Sequence, residues 1–209
     1  MPLDLWLAFV AASTALLLIP GPTVLLVLSY ALSKGRGVAL ASAGGVALGD
    51  LVAMTASLMG LGALVLASAT LFTALKWIGA VYLVWLGVKL IRSAPNAGLT
   101  LPRGGDVTGR GVFWHAAAVT ALNPKSIAFF IAFVPQFVTL NASLAPQFAI
   151  LIGTFVGLAA LNALAYALLA DQMRARVARP GVIAWLTRAG GGALIAMGLA
   201  TAFLRRSTT

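Results

Sequence analysis

Long apolar stretches alternate with short polar breaks along this chain. Residues 5–33, 51–75 and 126–170 contain no charged side chain. A helix crosses the hydrocarbon core of a bilayer with about 20 apolar residues, so the last stretch is long enough for two crossings. The pattern predicts six membrane-spanning helices, near residues 5–30, 39–67, 71–91, 113–139, 146–169 and 183–204.

The composition supports this interpretation and limits the chemistry. Of 209 residues, 61% are hydrophobic and only 9% are charged, whereas soluble domains carry about 25% charged residues. The four acidic residues are all Asp, and there is no Cys. Thiolate sites and disulfides are therefore excluded, and carboxylate-rich metal sites are not expected. We predict an all-α integral membrane protein with no metal and no cofactor.

The net charge of +10 is distributed between the apolar runs. Nucleic-acid binding needs basic side chains clustered on a solvated face, so we do not expect it. Ten of the fourteen basic residues lie in or beside three alternate breaks, which the positive-inside rule assigns to the cytoplasm with both termini outside. Arg205 and Arg206 oppose that assignment, so five spans with a cytoplasmic amino terminus stay an alternative to six.

A long segment rich in Gly, Pro and polar residues divides the chain into two halves. We predict a first three-helix repeat over 1–95, a cytoplasmic linker over 96–112 and a second three-helix repeat over 113–209. Because three is odd, the second repeat enters the membrane inverted. Pro20-Gly21-Pro22 interrupts the first helix and Asn123-Pro124-Lys125 interrupts the fourth. Broken helices in matching positions of inverted halves indicate a transporter site near the midplane, with simple proline kinks as the alternative.

The first break has chemical consequences for the backbone. Two prolines remove two amide donors, so carbonyls near Leu16 to Leu18 lose their helical partners and attract cations or ammonium groups. The half-helix after Pro22 presents unpaired N–H groups with a positive dipole end, which suit a carboxylate. A small zwitterion fits such a break. A rigid hinge that binds nothing is the alternative.

Asp50 is the acid that falls inside a predicted span, about 11 residues into the second helix. A carboxylate at that depth costs roughly 3 kcal/mol on insertion scales, so it must be protonated or paired, and it is a candidate for proton coupling. A permanent bridge to Lys76 or Lys125 is the alternative. Lys125 lies too deep to snorkel easily, and we interpret it as a carboxylate contact or as the partner of Asp50.

Further candidates carry weaker signals. Gly45 and Gly49 form a small-residue face for close helix packing. Lys76 lies nearer the end of its span, where it can snorkel. Uncharged polar groups that line a path or make interhelical hydrogen bonds are Tyr82, Gln136 and Asn162.

No enzyme motif is present: the sequence lacks a Gly-x-Ser-x-Gly elbow, a His-Glu-x-x-His motif, a phosphate loop and a dinucleotide fingerprint. We therefore predict a protein that is not an enzyme. A noncatalytic membrane subunit that assembles through Gly-rich faces stays an alternative to a transporter.

The ordered motifs of the chain resemble the LysE/RhtB family of amino-acid exporters. They are Pro20-Gly21-Pro22, Gly45-x-x-x-Gly49-Asp50, the stretch from Lys76 to Gly87 (KWIGAVYLVWLG), and Asn123-Pro124-Lys125 followed by Phe133-Val134-Pro135-Gln136-Phe137. The resemblance covers nearly the whole chain.

This resemblance implies a multi-pass protein of the bacterial inner membrane that exports amino acids or related metabolites, driven by the proton motive force. From the two inverted halves we predict that the cargo moves by alternating access. The protein's partners would be a small zwitterion, protons and lipid; the substrate and any homo-oligomer are not specified, and a non-amino-acid cargo is an alternative. The family's functional residues correspond here to Pro20, Pro22, Asp50, Asn123, Pro124 and Lys125.

Overall fold

A computed structural model describes residues 1–19, 21–34, 36–67, 69–94, 108–139, 142–177 and 180–203 of the chain. All regular structure in these ranges is helical. The α-helices are α1 (Leu3–Leu18), α2 (Pro22–Lys34), α3 (Arg36–Ala67), α4 (Ala69–Ser93), α5 (Gly109–Ala121), α6 (Pro124–Ala128), α7 (Leu144–Val177) and α8 (Pro180–Phe203).

Several of these helices are long and apolar enough to cross a membrane. Within the described ranges there are four such segments, over Gly37–Ala63, Thr73–Ser93, Gly109–Phe137 and Leu144–Leu169. There are five if α1 and α2, which meet at a bend of 54°, form one broken span. The sixth predicted segment forms α8 and is not among these five. The all-α multi-pass fold is confirmed, and the arrangement as six spans in two repeats stays a prediction.

Both helix breaks lie where the prolines predict them. In the first, α1 ends at Leu18 and α2 begins at Pro22, while Pro20 lies outside the described residues. In the second, α5 ends at Ala121, and α6 begins at Pro124 and continues through a π-helical turn and a 3-10 turn to Phe137. Each proline starts its half-helix because its missing N–H would have no intrahelical partner there.

Helix α5 begins earlier in the chain than the predicted fourth span. Helix α5 begins at Gly109 rather than 113, because Thr108 caps it by accepting a hydrogen bond from the N–H of Gly111 at 3.2 Å. The side-chain oxygen satisfies one of the amides that a helix start leaves free. Residues 96–107 of the predicted linker lie outside the described residues.

Helices α3 and α5 pack in parallel at the small-residue face. A Cβ added at Gly45 would collide with the carbonyl oxygen of Phe113, and one added at Gly49 would lie 2.6 Å from that of Ala117. Both helices advance by four residues between these contacts, so they run in the same direction. Because real Cβ atoms do not approach that closely, only glycine permits this crossing.

We expect Gly49→Ala to destabilise the protein by about 1–3 kcal/mol, because the new methyl group would overpack this crossing. Gly60→Ala in the same helix is the matched control, since nothing lies within 4 Å of its added Cβ. Thermal unfolding of the two purified variants measures the difference. Equal stability of both variants would contradict the close α3–α5 contact.

Helices α4 and α8 cross at a second pair of glycines. A Cβ added at Gly87 would lie 2.5 Å from the carbonyl oxygen of Gly191, and one added at Gly191 would lie 2.5 Å from that of Gly87. Ile195, four residues after Gly191, packs on Gly87, and Ile91, four residues after Gly87, packs on Gly191. Each helix therefore makes the same contacts with the other, as two helices related by a two-fold axis do.

The direction of these two helices follows from a third contact. A Cβ added at Gly198 would lie 2.7 Å from the carbonyl oxygen of Ala80. As α8 advances from Gly191 to Gly198, α4 recedes from Gly87 to Ala80. The two helices are therefore antiparallel. A two-fold axis that relates antiparallel helices lies perpendicular to them.

Two apolar clusters pack on either side of the first break. One contains α1 residues and an aromatic group, in which Phe130 of the π-helical turn meets Phe155 of α7 with ring centroids 4.8 Å apart. The other contains α2 residues such as Val24 and Val27, packed against α3 and α7. The break between α1 and α2 therefore lies where the two clusters meet.

Candidate functional site

A small cavity lies where both helix breaks meet α3 and α7. Apolar residues of both clusters complete its walls, and its polar lining comes from Thr23, Asp50, Asn123, Lys125, Ser126, Asn162 and Tyr166. The space open to the centres of water molecules is about 30 Å³, enough for one or two waters. The cavity is therefore small and largely filled by its own polar side chains in this conformation.

The carbonyls that end α1 are bound by side chains from the second half of the chain. We call the backbone carbonyls of residues 16–19 the carbonyl end. The hydrogen bonds are Lys125 Nζ to Leu16 O (3.0 Å) and to Ile19 O (3.1 Å), Asn162 Nδ2 to Leu17 O (3.0 Å), and Tyr166 Oη to Leu18 O (3.2 Å). These three side chains bind the carbonyls at the break, and Leu16 O also accepts a hydrogen bond from the N–H of Ile19 at 3.3 Å.

Lys125 reaches the carbonyl end from the first turn of α6. It is only 9% exposed. Its side chain lies against Gly21, where an added Cβ would be 3.3 Å from Nζ and 3.4 Å from Cε. A helix carboxyl end carries partial negative charge, so it stabilises the ammonium group there. The missing side chain at Gly21 is what leaves room for this lysine.

Asp50 lies in the same cavity and forms no ion pair with any described side chain. It is 2% exposed, and its Oδ1 atom has no hydrogen-bond partner among the described residues. The permanent bridge to Lys125 is not found, since the ammonium of Lys125 donates to backbone carbonyls instead. For a bridge to Lys76 the structure provides no test, because that side chain lies outside the described residues. A buried carboxyl without a partner is a site that a proton or another donor would satisfy.

Asn123 connects the two breaks. Its Oδ1 accepts a hydrogen bond from the N–H of Lys125 at 3.1 Å and so caps α6, and its Nδ2 donates to Thr23 Oγ1 in α2 at 3.1 Å. Thr120 Oγ1 also donates to Thr23 Oγ1, at 3.4 Å. One buried amide therefore orders the start of both half-helices.

Some predicted site residues lie elsewhere. Tyr82 is exposed on α4, where its ring lies 5.4 Å from that of Trp85. Gln136 lies in the 3-10 turn, and its Nε2 has no hydrogen-bond partner in the described ranges. Neither residue lines the cavity, nor do Gly45 and Gly49, which pack against α5.

Three polar residues of the site were not predicted as such. Tyr166, Thr23 and Ser126 line the cavity together with Asn162, which the sequence indicated only as a path or packing residue. Asn162 and Tyr166 are four residues apart, so they share one face of the otherwise apolar α7. This four-residue spacing of polar side chains is the sequence signal that could have identified Asn162 and Tyr166. In the described ranges, no group of His, Asp or Glu side chains could hold a metal ion.

Comparison with known proteins agrees with this geometry. The family model of the LysE type translocator matches residues 14–206. The chain belongs to the LysE family. This family consists of transporters, so the resemblance inferred from the motifs is confirmed, and the chain is a multi-pass transporter of the bacterial inner membrane.

Individual relatives span the LysE-family chain at moderate identity. The homoserine/homoserine lactone efflux protein of Salmonella typhimurium is 31% identical over 99% of this chain and 100% of its own length. A leucine efflux protein of an Enterobacter species is 30% identical over 68% of this chain and 66% of its own length. An uncharacterized membrane protein of Vibrio cholerae is 32% identical over 95% and 97%. No solved structure matches the chain.

Proposed function

We propose that this LysE-family protein exports small amino acids by proton-coupled alternating access. The observation that carries the proposal is the small cavity between two broken helices. It holds a buried carboxyl, one oxygen of which has no partner among the described residues, beside a carbonyl end that binds an ammonium group. Backbone groups at such breaks bind the charged ends of small ligands in the interior of a membrane protein.

The substrate class follows from the chemistry of the carbonyl end. Leucine, homoserine and homoserine lactone, which the names of the relatives mention, share a primary amine, whereas the lactone has no free carboxylate. The amine is thus the common group to recognise. The carbonyl end would accept its N–H groups, while the start of α2 and Lys125 would bind a carboxylate where one is present.

Alternating access requires that the cavity open in turn to each side. A volume of about 30 Å³ is too small for an amino acid, so the cavity must enlarge before cargo can bind. The symmetric crossing of α4 and α8, the third helices of the two halves, supports an inverted repeat. The second helices support it too, since α3 packs on α5, and α7 packs on α1 and α2.

Asp50 would link the proton to the cargo. For export, a proton enters from outside, binds the carboxyl of Asp50, and leaves to the cytoplasm while the amino acid moves outward. Asp50 lies in the same cavity as the carbonyl end, so its charge state would alter the energy of a bound ammonium group. The proton gradient then supplies the free energy for uphill export.

The direct test is export from cells that express the chain and are fed mixed dipeptides, which raise many cytoplasmic amino-acid pools at once. We expect one or a few amino acids to accumulate in the medium faster than from cells with the empty vector. Liquid chromatography of the medium measures the rates. No difference for any amino acid or for added homoserine lactone would contradict the proposal; export of the lactone alone would restrict the cargo to non-amino-acid amines.

A further inference from the structure

One charged side chain, that of Lys125, donates hydrogen bonds to the carbonyl end, although the acid Asp50 lies in the same cavity. Lys125 Nζ donates at 3.0 Å and 3.1 Å to two neutral carbonyls, while Asp50 Oδ1 has no partner among the described residues. A charged pair of groups forms stronger hydrogen bonds than a charged and a neutral group. Lys125 therefore occupies a site that suits an ammonium group, and it leaves the carboxyl of Asp50 available to another donor.

Lys125 also fills space that a ligand would need. The end of its side chain lies along Gly21, with three of its atoms within 3.7 Å of the position of an added Cβ. With Lys125 in place, only about 30 Å³ is open. Withdrawal of this side chain would uncover Leu16 O and Ile19 O and enlarge the cavity at the same point.

We propose that the carbonyl end is a binding site for primary ammonium groups and that Lys125 occupies it in the absence of cargo. The inference rests on the proposed function and extends it to the state without cargo. The amine of the cargo replaces Lys125 Nζ at Leu16 O and Ile19 O. Lys125 then turns to a carboxylate, either that of Asp50 or that of the cargo. The site selects compounds with a primary amine, because each N–H group needs a carbonyl acceptor.

Lys125→Ala tests this assignment, because it deletes three carbons and the ammonium group, which together match the propylammonium ion. We expect propylammonium to raise the Tm of the purified variant in a saturable way, as a ligand of the folded state does. Tetramethylammonium at equal concentration should have no such effect, since it has no N–H to donate. The unchanged protein should not respond either, because Lys125 fills its site.

Lys89→Ala is the matched control, since it removes the same charge from an exposed lysine on α4. A response of Lys89→Ala equal to that of Lys125→Ala would overturn the proposal, as would equal effects of the two ions or no effect of propylammonium. If Lys125→Ala does not fold unaided, its folded yield during purification in propylammonium is measured instead. Recovery with propylammonium but not with tetramethylammonium supports the site, and no recovery overturns it.

Failure here is distinguishable from failure of the proposed function. If the protein exports amino acids but the Tm of Lys125→Ala does not respond to propylammonium, the proposed function stands and the ammonium site is wrong. If the Tm of Lys125→Ala responds to propylammonium but the protein exports nothing, the ammonium site stands and the proposed function is wrong.

Discussion

Replacing Asp50 by Asn is expected to abolish export against a concentration gradient while the protein still inserts at its normal level. The carboxyl is 2% exposed and lines the cavity between the two breaks. An Asn side chain has nearly the same shape but cannot bind and release a proton, so it disconnects the proton gradient from the cargo. Binding and passive exchange of cargo should persist, because the carbonyl end is unchanged.

The measurement uses proteoliposomes with and without a pH gradient. Asp4→Asn is the matched control, since it makes the same chemical change at an exposed position in the first turn of α1. We expect Asp50→Asn to exchange labelled amino acid across the membrane but to lose gradient-driven accumulation, while Asp4→Asn retains both. Full gradient-driven accumulation by Asp50→Asn would rule out its role in coupling.

Asn123→Ala is expected to have the second largest effect, because one side chain holds both half-helices. The substitution removes the cap of α6 and the bond to Thr23, and each such hydrogen bond contributes about 1 kcal/mol. A loss of about 2 kcal/mol corresponds to a roughly thirtyfold change in an equilibrium. Thermal unfolding should occur at a lower temperature, and the export rate should fall at least tenfold.

Two partial substitutions separate the roles of Asn123. Thr23→Val removes the bond between the breaks but keeps the cap, and Asn123→Ser keeps an acceptor for the N–H of Lys125 but loses the amide donor. Each should lose about half as much stability as Asn123→Ala. If Asn123→Ala is as stable as the unchanged protein, the connection between the breaks does not stabilise the fold.

The helix breaks and the central charges were predictable from the sequence for local reasons. A proline removes its own amide donor wherever it stands, so both breaks and the freed carbonyls near Leu16 follow from the chain itself. Asp50 and Lys125 stand out because a charge inside an apolar run has few environments that tolerate it. These features need no knowledge of how the helices pack.

The partners of these groups depend on packing and were not predictable in the same way. Nothing near Lys125 in the sequence indicates that it binds the carbonyl of Leu16, 109 residues earlier. Tyr166 and Thr23 read as ordinary residues of apolar helices until α7 and α2 are placed side by side. Sequence patterns identified the free groups of the site, and the tertiary fold determines which donor meets which acceptor.

The glycine crossing of α4 and α8 restricts how the molecule can change shape. At Gly87 and Gly191 the two backbones are in direct contact, with Ile91 and Ile195 packed on either side. Sliding of one helix along the other would drive these isoleucines into the opposing main chain. We therefore expect this pair to stay fixed during transport, and we expect the volume needed for cargo to come from bending at the 54° break between α1 and α2 and at the break before α6, as in a hinge rather than a shear motion.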